Sequence, residues 1–199
     1  MKRVMPDTAG IEEAAEILIS GGVVAYPTET VYGLGADPFS EPALDNLFRV
    51  KARDANHPVL LIVADARQAF SLASAVSRRA SACMKAFWPG PLSILLPAVP
   101  GLPARLLDTS GHVCVRCPGH ETARALCKRF GSPLTSTSAN LSGMPPAYSA
   151  EEACLPGVAL VLDGGILEAS PPSTVYDPET NSILRSGPVT MEMIEEACR

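Results

Sequence analysis

Aromatic side chains, positive charge and long apolar runs are all scarce in this sequence. Only 5% of the 199 residues are aromatic, and 16 Lys and Arg against 21 Asp and Glu give a net charge of −5. A broad nucleic-acid surface needs concentrated positive charge, and single-strand binding also needs aromatic platforms for stacking, so both are disfavoured. No apolar run reaches the roughly 18 residues that a membrane helix needs, and the basic pair near the start precedes no apolar stretch. We therefore expect no membrane span and no secretory signal.

Several familiar catalytic motifs are also missing. The sequence contains no G-x-x-x-x-G-K-[ST] loop and no G-x-G-x-x-G fingerprint, so phosphate chemistry would need another cradle. It has no G-x-S-x-G elbow and no H-E-x-x-H helix, which disfavours a serine hydrolase and a zinc protease. Three histidines leave few candidates for a general base.

The residues that are present indicate a well-packed globular protein. Hydrophobic residues make up 47% of the chain and charged residues 19%, which is too apolar for a disordered chain. The length predicts a single domain spanning residues 1–199. Six cysteines without an export signal are expected to be reduced thiols, and the cytoplasm is the expected location.

The pattern of apolar residues predicts alternating helices and short strands. Helical spacing occurs at about 11–19, 41–51, from 65, 78–87, 120–130, 150–155 and from 191 to the end. Short apolar runs bounded by turn residues occur at 23–26, 59–63, 93–96, 112–117, 134–138, 159–162, 174–176 and 183–185. This mixture predicts an α/β fold with a twisted mixed sheet flanked by helices.

Four potential zinc ligands lie close together, at His112, Cys114, Cys117 and His120. Alternating residues of a strand point to opposite faces, so Cys114 and Cys117 would diverge if 112–117 is a strand. We therefore predict that protein side chains form no metal site here, and that the thiols are small buried groups.

Two polar features allow a structural and a functional interpretation. Arg116 lies inside the predicted strand, where its guanidinium needs either an ion-pair partner or a bound anion, and its fork suits a carboxylate. Lys51 and Arg53 follow a predicted helix, where they could simply complement the helix dipole. The hydroxyl-rich stretch 135–143 is either a polar edge strand capped by a turn or a set of donors and acceptors for a ligand.

Six motifs, taken together and in order, resemble the YrdC-like family of threonylcarbamoyl-AMP synthases. They are YPTETVYGLG at 26–35, Lys51-x-Arg53 before His57-Pro58, VCVRCP at 113–118, STSANLSG at 136–143, STVYD at 173–177 and LRSG at 184–187. The resemblance is strongest over residues 8–187. It implies the short, single-domain form of a YrdC-like α/β fold with a large concave cavity.

The resemblance also implies a reaction. A family member condenses L-threonine, bicarbonate or CO₂, and ATP into threonylcarbamoyl-AMP and pyrophosphate, with Mg²⁺ on the triphosphate. A separate transferase complex then uses the product to modify adenosine 37 of tRNA, and a weak contact with tRNA is conceivable. No covalent protein nucleophile is implied. The alternatives are an RNA-binding or ribosome-maturation protein that uses the same cavity, and a carbamoyl-transfer maturation module.

The resemblance assigns roles to individual residues. The threonine side comprises Thr30, Arg116, Ser136 and Ser173. The ATP side comprises Lys51, Arg53, His57, Ser138, Asn140, Pro146 and Arg185. The sequence departs from the common pattern twice: Asp54 replaces a proline, and Ile62 replaces a histidine that would offer threonine a polar contact.

Overall fold

The structure is a computed structural model, and it describes residues 1–52 and 58–199. Its strands form two hydrogen-bonded sheets. The first sheet has the order β1-β9-β2-β3-β8, formed by Lys2–Val4, Leu160–Leu162, Val24–Tyr26, Gly33–Gly35 and Thr137–Ser138. The second has the order β11-β10-β5-β6-β4-β7, formed by Ser182–Arg185, Thr174–Asp177, Leu92–Pro97, His112–Arg116, Leu61–Ile62 and Leu134–Thr135.

Helices cover the faces of these sheets. They are α1 (Thr8–Ile19), α2 (Glu41–Lys51), α3 (Ala66–Phe70), α4 (Arg78–Phe87), α5 (Glu121–Phe130) and α6 (Met191–Ala197). Parallel and antiparallel pairs occur in both sheets, which confirms the predicted mixed α/β class. Each helix of the described residues is too short or too polar to traverse a bilayer.

Two hydrophobic clusters lie on opposite faces of the strands. Alternation along β2 sends Ala25 into the larger cluster, while Val24 and Tyr26 join a second cluster with α1 and α5. The same alternation places Leu61 in the larger cluster and Ile62 in the second. Because both faces are covered, the strands read in the sequence as continuous apolar runs.

One predicted strand is divided between the two sheets. Residues 134–138 form β7, which pairs with β4, and β8, which pairs with β3, with Ser136 between them. The Ser136 amide donates to the Leu60 carbonyl at 2.7 Å, which fixes the crossing. Periodicity alone could not show this division, because each half pairs with a strand far away in sequence.

The predicted helix at 150–155 is wrong, since this segment forms turns. A single turn is capped by Ser149 and Glu152, whose side chains each accept a backbone amide of the other residue. Pro156 follows directly, and it disfavours helical backbone at the residue before it. The strands β1 and β3 were not predicted, because β1 is a largely exposed Lys-Arg-Val segment and β3 is Gly-Leu-Gly, so neither shows an apolar run.

The start of α4 provides a test of local stability. Ser77 is its N-cap, and its hydroxyl accepts the Ala80 amide at 3.1 Å. We expect Ser77→Ala to lower the free energy of unfolding by about 1 kcal/mol, because one amide loses its acceptor. The midpoint of urea denaturation measures this loss. The control is Ser81→Ala on an exposed position of the same helix; equal midpoints for both variants would contradict the capping role.

Candidate functional site

A pocket of about 480 Å³ lies where the two sheets meet. Its walls come from the loop after β2, from the crossing at Ser136, from the ends of β6 and β11, and from the segments before β4 and β10. The lining residues are Thr28, Thr30, Val31, Gly33, Pro58, Leu60, Arg116, Ser136, Thr137, Ser138, Pro146, Tyr148, Ser170, Pro172, Ser173 and Arg185. Hydroxyl groups and two guanidinium groups therefore dominate its polar surface.

The loop after β2 is held by the hydroxyl of Thr28. This oxygen accepts the amides of Thr30 and Val31, each at 3.2 Å, and donates to the Val31 carbonyl at 2.6 Å. Its proton is thereby used, so the Thr30 hydroxyl is the donor in their 3.0 Å contact. Thr28 and Thr30 are both buried in the wall of the pocket.

Arg116 lies at the end of β6, with only 5% of its side chain exposed. One terminal nitrogen is 3.7 Å from Oε1 of Glu29, too far for a hydrogen bond. The buried Nε of Arg116 and both carboxylate oxygens of Glu29 have no hydrogen-bond partner among the described residues. The guanidinium is thus balanced by a nearby charge but keeps unused donors.

Arg185 holds Ser173 at the opposite wall. Its Nε donates to the Ser173 carbonyl at 3.0 Å and a terminal nitrogen donates to the Ser173 hydroxyl at 2.9 Å. That hydroxyl also lies 2.9 Å from the hydroxyl of buried Ser93. Burial lowers the pKa of Arg185, and the positive charge of Arg116 lowers it further. Two cations therefore face one pocket, an arrangement that suits an anion.

Lys51 ties the end of α2 to the hydroxyl-rich turn. Its Nζ donates to the Ser138 carbonyl at 2.6 Å and to Oδ1 of Asn140 at 2.5 Å. The Ser138 hydroxyl also donates to the same Asn140 oxygen, at 2.6 Å. The Lys51 side chain is buried, so its charge faces these oxygens rather than bulk water. The interpretation of Lys51 as a solvated charge at the end of a helix is therefore wrong.

The structure brings most of the sequence-predicted residues together. Those that line the pocket are Thr30, Arg116, Ser136, Ser138, Pro146, Ser173 and Arg185. Lys51 and Asn140 adjoin it through their hydrogen bonds to Ser138. Arg53 and His57, like Asp54, lie outside the described residues. Ile62 is fully buried in the second hydrophobic cluster.

Sequence reasoning did not single out several residues at this site, among them Thr28, Glu29, Tyr148 and Ser170. Thr28 and Glu29 belong to the quoted motif at 26–35, and a search for hydrogen-bonding turns could have singled them out. Tyr148 and Ser170 carry no local signal. Ser170 reaches the loop after β2 from far along the chain, where its hydroxyl lies within hydrogen-bonding distance of the carbonyls of Glu29 and Thr30.

The cysteines near Arg116 do not form a ligand cluster. The strand at His112–Arg116 is present as predicted, and burial raises the pKa of Cys114 to about 12. The Cys117 thiol instead points to the Ala64 carbonyl, at 3.5 Å. Across residues 1–52 and 58–199, no three His, Cys, Asp or Glu side chains are grouped to hold a metal ion, and all six cysteines are free thiols.

Comparison with known proteins identifies relatives that match most of the chain. A family model for Sua5, YciO and YrdC proteins, described as "Telomere recombination", matches residues 16–187. The threonylcarbamoyl-AMP synthase of Thiobacillus denitrificans is 42% identical over 168 residues, covering 83% of this chain and 89% of that protein. The protein of the same name from Xanthomonas campestris pv. campestris is 37% identical over 186 residues, covering 91% of this chain and all of that protein.

A solved structure agrees with these relatives. The crystal structure of P. abyssi Sua5 complexed with L-threonine superposes with a TM-score of 0.88 and is 35% identical, and the match covers 98% of this chain. The chain spans 59% of the length of that longer protein. The fold, the ordered motifs and the family model agree, and the chain belongs to the Sua5/YciO/YrdC family.

Proposed function

We propose that this chain is a threonylcarbamoyl-AMP synthase, which joins L-threonine, bicarbonate or CO₂, and ATP and releases pyrophosphate. The observation that carries the proposal is the shared pocket: all four residues of the expected threonine side line it together with Ser138 and Arg185 from the ATP side. Relatives at 37% and 42% identity bear this enzyme name, and the P. abyssi neighbour was solved with L-threonine. We extend the assignment to residues 1–199 as one domain.

The threonine side can recognise both ends of an amino acid. Arg116 is buried, charged and has unused donors, which suits the carboxylate. Ser136 and Thr30 offer hydroxyl groups to the rest of the molecule, and Ser173 is held in a fixed position by Arg185. Such preorganised donors reduce the entropy lost on binding.

The ATP side lies along the crossing and the wall that Arg185 forms. Lys51 orients Ser138 and Asn140, so this turn presents polar groups in a fixed arrangement. Arg53, His57 and Pro146 complete the proposed ATP side. The Arg185 guanidinium lies between the two sides, because it contacts Ser173 directly. The α-phosphate and the carbamate formed on the threonine amine would therefore meet within a single pocket.

The chemistry requires no covalent protein nucleophile. The neutral threonine amine adds to CO₂ and loses a proton to solvent, which gives a carbamate. A carbamate oxygen then attacks the α-phosphorus, and pyrophosphate leaves with the electrons of the broken P–O bond. The protein's contribution is to position the two anions and to stabilise developing charge with cations and hydroxyls. Mg²⁺ would travel on the triphosphate, since the described pocket offers hydroxyl and guanidinium groups rather than a carboxylate cage.

The proposed setting follows from the proposed product. A separate tRNA threonylcarbamoyl transferase complex would consume threonylcarbamoyl-AMP, and the protein would act in the cytoplasm. The RNA-binding alternative is not favoured. The net charge is −5, and Tyr148 is the single aromatic side chain among the described lining residues.

Pyrophosphate release tests the proposal. We expect purified protein to release pyrophosphate from ATP only when both L-threonine and bicarbonate are present, because the carbamate is the attacking group. Mass spectrometry should detect threonylcarbamoyl-AMP in the same mixture. Omission of threonine is the control, and release at the same rate without it would overturn the assignment. D-threonine provides a matched control with the same groups in the wrong arrangement.

A further inference from the structure

Glu29 is a charged residue that lies beside the pocket rather than in its lining, and its backbone is held in place from two sides. The Thr28 hydroxyl organises the backbone around it, and the Ser170 hydroxyl contacts its carbonyl at 3.2 Å. The side chain then lies beneath Gly119, where an added Cβ would be 3.5 Å from the Glu29 carboxyl carbon. The loop thus delivers a carboxylate to the buried end of Arg116.

The charge of Glu29 needs Arg116 as its partner. Both of its carboxylate oxygens are buried and accept no hydrogen bond within the described residues, and the nearest cation is Arg116 at 3.7 Å. Arg124 also lies in this region, where its guanidinium donates to the Pro118 carbonyl at 2.7 Å, and among the described residues Glu29 forms its ion pair with Arg116 instead. Burial lowers the pKa of His120 and so disfavours its charged form, although the negative charge of Glu29 acts in the opposite direction.

A carboxylate on the side of Arg116 that faces away from the pocket would stabilise its guanidinium. Arg185 faces the same pocket, and the two guanidinium groups repel each other. A charge on the far side of Arg116 would hold its guanidinium against that repulsion without occupying the pocket. The 3.7 Å separation leaves the donors of Arg116 unused, as a ligand's carboxylate would require.

We infer that Glu29 is a positioning residue that fixes the Arg116 guanidinium for the carboxylate of an amino-acid substrate. The inference rests on the proposed function in one respect, the identity of that ligand. It makes a prediction that simple electrostatics does not. If Glu29 only added negative charge near the pocket, removing the charge would strengthen the binding of anions, whereas a positioning role requires that binding weaken.

Calorimetric titration of L-threonine decides between these outcomes. We expect Glu29→Gln, which keeps the shape and removes the charge, to raise the threonine Kd by about tenfold, within the range for coupled neighbours, while the ATP Kd changes by less than about threefold. The matched control is Glu151→Gln, which makes the same charge change on an exposed turn and should alter neither Kd. Unchanged or tighter threonine binding by Glu29→Gln would overturn the inference.

A double variant tests whether Glu29 acts through Arg116. In an Arg116→Ala background, Glu29→Gln should no longer weaken threonine binding, because the group that it positions is gone. A further loss of similar size would show that Glu29 contacts the ligand itself. That result would contradict the positioning role.

The order of the Arg116 side chain provides a readout that does not depend on threonine. In ligand-free protein, NMR relaxation of the Arg116 Nε–H group should show order close to that of the backbone, while Arg67, whose side chain is 93% exposed, should be mobile. Glu29→Gln should lose this order, and Glu29→Asp, which keeps the charge, should restore part of it. Should Glu29→Gln fail to fold, the parent protein and Glu29→Asp still decide: an Arg116 side chain as mobile as Arg67 overturns the inference.

The two hypotheses fail in different ways. A parent protein that binds no threonine, but whose Arg116 order depends on Glu29, would refute the proposed function and support the positioning. A parent protein that binds threonine, with Arg116 order unaffected by Glu29→Gln, would refute the positioning and support the function.

Discussion

Replacing Arg116 with alanine is expected to weaken L-threonine binding by about thirtyfold to a thousandfold, because a charge-assisted bidentate contact is worth roughly 2 to 4 kcal/mol. The side chain is 5% exposed at the end of β6, lines the pocket and has an Nε without a partner among the described residues. ATP affinity should change much less, since Lys51, Ser138 and Asn140 remain in place. Calorimetric titration with each ligand measures both effects.

The Arg116 variant needs two controls. Alanine at this position leaves the Glu29 carboxylate buried without its nearest counter-ion, which destabilises the folded state. The Arg116→Ala/Glu29→Gln variant removes that orphaned charge, and its threonine binding should remain far weaker than that of the parent protein if Arg116 holds the ligand. Arg67→Ala, on an exposed side chain, controls for loss of a positive charge. Normal threonine binding by Arg116→Ala would show that Arg116 serves only as the structural ion-pair partner of Glu29.

Gly187→Ala is expected to damage both stability and threonine binding. A Cβ at this position would lie 2.4 Å from the Pro172 carbonyl oxygen and 2.4 Å from the Thr174 amide nitrogen, and backbone atoms cannot rotate away. Overpacking of this kind costs about 3 kcal/mol, which corresponds to a fall in Tm of about 6 to 12 °C. Ser173 lies between the two displaced groups, so its hydroxyl should lose its contacts with Ser93 and Arg185.

The matched control for Gly187 is Gly119→Ala. The nearest atom to a Cβ there is the Glu29 carboxyl carbon at 3.5 Å, an ordinary contact distance. This variant should keep the parent Tm within about 2 °C, because no overlap is created. Differential scanning calorimetry and threonine titration compare the two. If Gly187→Ala melts with the parent and binds threonine normally, the segment before β10 is more adaptable than its close packing indicates.

The sequence predicted the class of fold and the longer elements well. α4 begins and ends where helical spacing places it, and β6 matches its apolar pattern. Local patterns failed at 150–155, where the chain forms turns instead of the predicted helix. They failed again at Ser136, where the direction of the chain depends on pairing with distant strands.

The site was predicted through ordered motifs rather than through physical patterns. Residue chemistry left Arg116 open between an ion pair and an anion site, and the structure shows a guanidinium with features of both. Lys51 read as a solvated helix end, because its partners at 138–140 are far away in sequence. Ser170 and Tyr148 carried no signal, since only the tertiary fold brings them to the pocket. The motif resemblance located the site, but its hydrogen-bond network required the three-dimensional arrangement.

The chain passes from one sheet to the other at Ser136, beside the pocket. Ligand binding should therefore stabilise the arrangement of the two sheets relative to each other. The pocket is lined from both sheets, and the seam is joined by the Ser136 amide on Leu60 and by the Ala36 amide on the Thr135 hydroxyl, at 2.7 and 2.8 Å. A bound substrate would contact residues of both sheets at the same time. Because a ligand stabilises the arrangement that it prefers by mass action, binding and alignment of the sheets would be a single coupled equilibrium. Amide hydrogens at this junction that do not contact the substrate should then exchange with solvent more slowly when the ligand is bound.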